Sequence, residues 1–215
     1  MTAPTLTLGQ IRKLDPCRDR LDAAENALPK RRRITAAQAR EFGMSFDDIL
    51  WAASAVARND NDVERRLRMW MADCAARVLH VFEAMRPADD RPRRAVEASM
   101  AFARGEILAT AWAVATNAAW EAAWNAEAHA NAWDAAATAA WDAEAAWDTA
   151  AAWSAAVNAA YAANAWDALA VANAAGNAAG NAERVWQFDR LIAWLSDDEP
   201  EPWPLPDRLD AEAGS

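Results

Sequence analysis

AAWDAEAAWDTAAAWSAA, residues 139–156, is the densest part of a stretch from Ala101 to Arg184 whose reading decides the fold. Alanine fills 40 of the 85 positions from 101 to 185, with tryptophan, aspartate and asparagine between them. Alanine has the highest intrinsic helix propensity, and no proline lies between Pro92 and Pro200, so the stretch predicts helix. A β-solenoid is the rival reading, because Trp141, Trp147 and Trp153 are evenly spaced. It lacks the β-branched residues and turn glycines that a coil corner needs, and the remaining aromatics are irregularly placed. On a helix that even step turns about 240°, so the three indoles would face three directions. Trp120 and Trp124, four residues apart, share one face. A single rod would show aromatics all round, so either the stretch breaks into several helices or its helices sit in a bundle that covers most faces; the expected breaks lie near Asn117, His129–Asn131 and Asn173–Asn181, where Gly176 and Gly180 weaken the helix. Each buried tryptophan covers on the order of 150–250 Å², the apolar area that alanine lacks. The fold class is all-α: a multi-helix bundle with an Ala/Trp-rich C-terminal half.

Outward from this stretch, the chain is punctuated by helix starts. Thr7 with Gln10 and Thr35 with Gln38 have capping-box spacing, and Ser45 with Asp48 is a further start. Asp15-Pro16 opens a helix that ends before Pro29. The basic run Lys30-Arg31-Arg32-Arg33 follows as a solvated loop. Asn59-Asp60-Asn61-Asp62 is a polar turn. After it, Val63, Leu67, Trp70, Cys74, Val78 and Phe82 form one apolar stripe, with Arg65, Arg66 and Arg68 largely off it. Asp90 is the expected N-cap of the next helix, with Pro92 in its first turn. A last helix begins at Glu183 and carries Trp186, Leu191, Ile192, Trp194 and Leu195. After Asp197 come four prolines and six acidic residues, the composition of a tail that is flexible or orders on contact. The expected organisation is a helical part over 1–100, the Ala/Trp-rich part over 101–196 packed on it in one domain, and the tail over 197–215.

The formal charge of −10 is unevenly spread. Residues 1–100 carry 18 basic and 15 acidic side chains, residues 101–185 carry 2 and 9, and residues 186–215 carry 2 and 8. A back half with so few bases argues against direct nucleic-acid binding, which needs lysine and arginine on phosphates. It suits an acidic surface that docks onto a basic one. Two cysteines, Cys17 and Cys74, do not make a disulfide framework. MTAPTLTLGQ has no signal-peptide pattern and no long strongly apolar run is present, so the chain reads as cytoplasmic with no membrane partner.

The run CAARVLHVFEAMRPADDRPRRAVEASMAFARGEI (Cys74–Ile107), the alanine-rich region after it and the closing WQFDRLIAWL resemble an alanine-rich immunity protein family of bacteria and phages. DDRPRRAVEA and FARGEI carry most of the match, and LDPC (Leu14–Cys17) and the segments around Trp51 and Trp70 are in character. Where that family usually places arginine, histidine and tyrosine between the alanines, this chain has mostly tryptophan, aspartate and asparagine. The resemblance implies an all-helical fold, a toxin-neutralising or conflict-related role and no catalytic residues.

The residues themselves predict no enzyme. His80 and Cys74 fall on different faces of one helix, and His129 lies among alanines without a partner. No CxxC pair, HExxH or calcium loop occurs, and the glycines at 176 and 180 are not followed by Lys-Ser/Thr, so no catalytic residue, metal site or cofactor is expected. The expected function is a non-enzymatic inhibitor of the immunity or phage anti-defence type, such as an anti-CRISPR. It would cover a basic surface of a toxin, nuclease or nucleic-acid-guided complex. Glu121, Glu127, Asp134, Asp142, Glu144, Asp148 and Asp167 are the candidate charges, with Trp124, Trp133 and Trp147 as anchors. A sharper form has carboxylates spaced like phosphates, with Asp134, Asp142, Asp148 and Asp167, each following a tryptophan, as the suggestive positions. The alternative is a self-associating assembly module of close-packed alanine helices, a possible homo-oligomer, and a sugar site of exposed Trp–Asp pairs is a third, weaker reading.

Overall fold

Thr7 and Thr35 start helices by the same local device. Each side-chain oxygen accepts the N–H of the residue three along, and Gln10 and Gln38 reach back to the cap's own N–H. Ser45 caps Asp48 in the same sense. The computed structural model describes residues 2–85, 87–125 and 184–207. These form α1 (Leu8–Lys13), α2 (Arg18–Ala27), α3 (Ala36–Glu41), α4 (Phe46–Ala57), α5 (Asn61–Met85), α6 (Arg91–Ala103), α7 (Ala109–Asn125) and α8 (184–194). Among the described residues the regular elements are all helices, and the β pairing present is one isolated bridge between Leu6 and Ile34. The all-α multi-helix fold is as expected.

Three starts and stops differ from expectation. Asp15 adopts φ +58° and Cys17 is the N-cap of α2, so Pro16 precedes the helix instead of lying in its first turn. Asp90 holds the N-cap position of α6 without capping it. Its carboxylate binds Arg94 at 2.6 Å, while Asp89 accepts the Arg91 N–H at 3.2 Å. No break occurs at Asn117, which lies inside α7; the chain breaks at Gly105, where φ is +74°. An asparagine in a helix costs only about half a kcal/mol, whereas a left-handed residue ends the helix outright. The breaks expected at 129–131 and 173–181 lie outside the described residues.

The chain divides into two compact units, Met1–Leu67 with Phe188–Glu201 and Arg68–Gln187 with Pro202–Ser215. The first has an apolar core of Leu8, Ile11, Ile34, Ile49, Leu50 and Leu191. It also encloses a charge network that corrects the expected position of Arg66. Instead of lying off the core, Arg66 is 0% exposed. Its guanidinium donates to Asp62 at 2.8 Å and to the carbonyls of Trp194 and Ser196 at 2.9 and 2.7 Å, and lies 3.1 Å from Glu199. Arg65 forks onto both Glu199 oxygens and onto Asp62. Burial pushes the Asp62 carboxyl up, but the hydrogen bonds and charges of Arg65 and Arg66 outweigh it and hold the group below its ordinary range.

In the second unit, Trp70 is 1% exposed and its indole N–H donates to the Gln187 carbonyl at 3.0 Å. Leu79, Val96 and Met100 surround the same core, and Cys74 is buried in it. Arg68 is also buried, against expectation, because two aromatic rings take up its guanidinium. Glu83 and Arg93 form a two-pronged buried pair at 2.6 and 2.7 Å, with Glu83 reinforcing the arginine's charge against desolvation.

Candidate partner-binding surface

The described start of the Ala/Trp-rich stretch is built on the turn at Gly105. After α6, the Gly105 N–H returns to the Phe102 carbonyl and the Glu106 N–H to that of Ala101, closing the helix end. Arg104 and Glu106 pair across the turn at 2.6 Å; this hydrogen bond keeps the glutamate below, and the arginine above, their ordinary ranges. α7 then returns against α6. Its inner side is fixed by Trp112, 9% exposed, which stacks on Phe102 at 5.3 Å and donates to the Ser99 hydroxyl at 3.2 Å. Arg68 lies 4.7 and 4.9 Å from these two ring centres, so the outer helix is pinned through a cation–π contact.

From Thr110 to Asn117 the opposite side of α7 is open. Thr110, Val114 and Asn117 are exposed, Val114 at 70%, and Leu108 just before the helix is 76% exposed. Positions 121 and 124 continue the same row, because steps of four, three, four and three residues from Thr110 keep within one narrow sector of a helix. Of the ten residues singled out from sequence, Glu121 and Trp124 thus occupy one helix and one row. Glu127, Trp133, Asp134, Asp142, Glu144, Trp147, Asp148 and Asp167 lie outside the described residues.

The side chains that the sequence reading missed are arginines and aromatics meeting across long chain separations. Besides Arg68, Arg77 lies 4.3 Å from the Trp186 ring centre and 5.3 Å from that of Trp203. No local spacing signals such pairs.

Other candidate chemistry is modest. His80 is exposed, with Nδ1 3.1 Å from the Arg77 carbonyl oxygen of its own helix. Among the described residues no group of three or more His, Cys, Asp or Glu side chains is placed to hold a metal ion. The basic run 30–33 is exposed, and Arg33 donates to the hydroxyl and carbonyl of Thr5. A cleft of about 450 Å³ in the first unit is lined by Leu6, Ile34, Ala39 and Val56. Its polar rim is already engaged: Asp60 accepts from the Asp62 and Val63 N–H groups, and Asp48 from Ser45. None of the described helices is long and apolar enough to cross a membrane.

Helix on helix, with its described surface bearing an open helix row, defines the class first: an all-α multi-helix protein. Comparison with protein families then gives the particular one. Residues 57–193 match the model of the Imm-5 like putative immunity protein family, and the chain belongs to that family. Its general role is therefore that of an immunity protein, which acts by binding a partner protein. No curated protein and no solved structure matches the chain.

Proposed function

We propose that the protein is a non-enzymatic inhibitor whose acidic Ala/Trp-rich face covers a basic functional surface of a toxin, a nuclease or a nucleic-acid-guided complex, as an anti-CRISPR would. The observation that carries this reading is the open row of α7. It is exposed at Thr110, Val114 and Asn117, and belongs to a helix that carries positions 121 and 124 at the same spacing and has no lysine or arginine. The stretch it opens is net negative by seven charges from 101 to 185. Glu121, Glu127, Asp134, Asp142, Glu144, Asp148 and Asp167 supply the charge, and Trp124, Trp133 and Trp147 the anchors. Acidic docking of this kind acts mainly on association rate and specificity.

The test is affinity capture with the tagged full chain from nuclease-treated host lysate at low and high salt. The captured protein is then purified and its activity titrated with the inhibitor. A basic protein that loses its activity at a stoichiometric ratio supports the proposal. A captured protein that stays active at saturation, or a loss of activity indifferent to salt, rules out the acidic-face inhibitor. One observation favours a second reading, an assembly module: Leu108 and Val114 are large apolar side chains left in solvent at the start of α7. Light scattering of the pure protein decides it, a defined oligomer supporting assembly and a monomer excluding it.

A further inference from the structure

Residues 202–207, PWPLPD, make contacts of the kind a groove makes with a bound peptide, within the second unit. The anchor is Trp203. Its indole meets Trp186 edge-on at 5.0 Å and 83°, and the Arg77 guanidinium lies beside both rings. Its backbone N–H donates to Asp73 at 2.6 Å, and Asp73 is 0% exposed. Three residues on, the Pro206 carbonyl accepts from Arg93 at 2.7 Å, whose guanidinium is held in place by the buried Glu83. Pro202, Pro204 and Pro206 fix φ at alternate positions and remove backbone donors, so the segment loses little entropy on docking. It presents one N–H and one carbonyl to two buried charged side chains. A stiff proline-rich segment docked against an aromatic side chain of its groove, here Trp186, is a recurring mode of peptide recognition, and Trp203 adds an anchor of its own with the Arg77 guanidinium beside it.

We propose that α5, α6 and the first turn of α8 form a recognition groove for extended proline-rich peptides carrying a tryptophan, and that residues 202–207 fill it in cis. Asp73, Arg77, Glu83, Arg93 and Trp186 are the groove's residues. None belongs to the acidic face, so this inference stands or falls independently of the inhibitor reading. A tethered ligand acts at an effective concentration of roughly millimolar, so the wild-type groove resists competing peptides until its own anchor is removed.

The experiment uses full-length Trp203→Ala protein and a fluorescent peptide of residues 199–207, with binding followed by anisotropy. Saturable binding is expected, at least about tenfold tighter than to wild type, where the tethered segment competes. It should vanish when the peptide's tryptophan becomes alanine, and in the Trp203→Ala/Arg77→Ala double variant. No saturable binding to a Trp203→Ala protein with wild-type circular dichroism and melting, or binding indifferent to the peptide's tryptophan, overturns the proposal. A measurement on the unaltered chain guards against a variant that fails to fold. The Trp203 amide should exchange with solvent at least about 100-fold more slowly than free chain, and exchange at the free-chain rate overturns the proposal equally.

Discussion

Arg66 makes the heaviest demand of any single residue, because a fully buried guanidinium is tolerable only while its partners remain. It ties Asp62 and Glu199 to the carbonyls of Trp194 and Ser196. Arg66→Ala should cost roughly 3 kcal/mol in urea denaturation, and Arg66→Met, which refills the space without the charge, should cost less. The pH dependence has a definite sign. Asp62 is held below its ordinary range in the folded state, so the stability it contributes is complete above the unfolded value of about 4 and is lost as pH falls through the depressed one. The Tm gap between wild type and Asp62→Asn should therefore be constant from neutral pH down to the ordinary carboxylate range and close below it. A gap that stays open in acid would detach Asp62 from the network. Periodicity alone could not place Arg66 or Arg68 inside. It assigns charges to the solvent side, and the groups that accept these two arginines lie up to 130 residues away.

Elements were more legible, because their ends are written in adjacent residues. Both capping boxes form where Thr7/Gln10 and Thr35/Gln38 place them. Thr35→Ala should cost about 1 kcal/mol, or about 3 °C in Tm, and Thr35→Ser should restore most of it. The α6–α7 turn falls at Gly105 and not at Asn117, because a helix accommodates an asparagine among alanines whereas the left-handed backbone angle of Gly105 ends one. A Cβ at that position meets nothing within 4 Å, so Gly105→Ala strains only the backbone. The expected loss is about 1 kcal/mol without disturbance of neighbours. A larger loss, or altered quenching of Trp112, would show that the turn also sets how α7 packs.

At the scale of the whole molecule, charge is the property that sequence makes plain and side-chain direction is the one it hides. The −7 of residues 101–185 follows from counting. Trp112 turning inward depends on Phe102, Ser99 and Arg68, so no rule about tryptophan spacing separates core rings from surface ones. Sequence therefore proposes the candidate face as a region and a sign, and of its positions, 121 and 124 fall on the α7 row. That row permits a test separating a local acidic face from mere net charge. Glu121→Lys and Asp19→Lys change the net charge equally, but Asp19 lies exposed on α2 in the other unit. Against the captured partner, Glu121→Lys should slow association about tenfold at low salt, an effect that shrinks as salt screens it. Asp19→Lys should leave the rate within about twofold, because a charge away from the contact contributes only to the long-range field. Equal slowing by both would mean that overall negativity attracts the partner without a defined acidic face. No slowing by Glu121→Lys would remove α7 from the interface and leave the contact to the acidic positions beyond it.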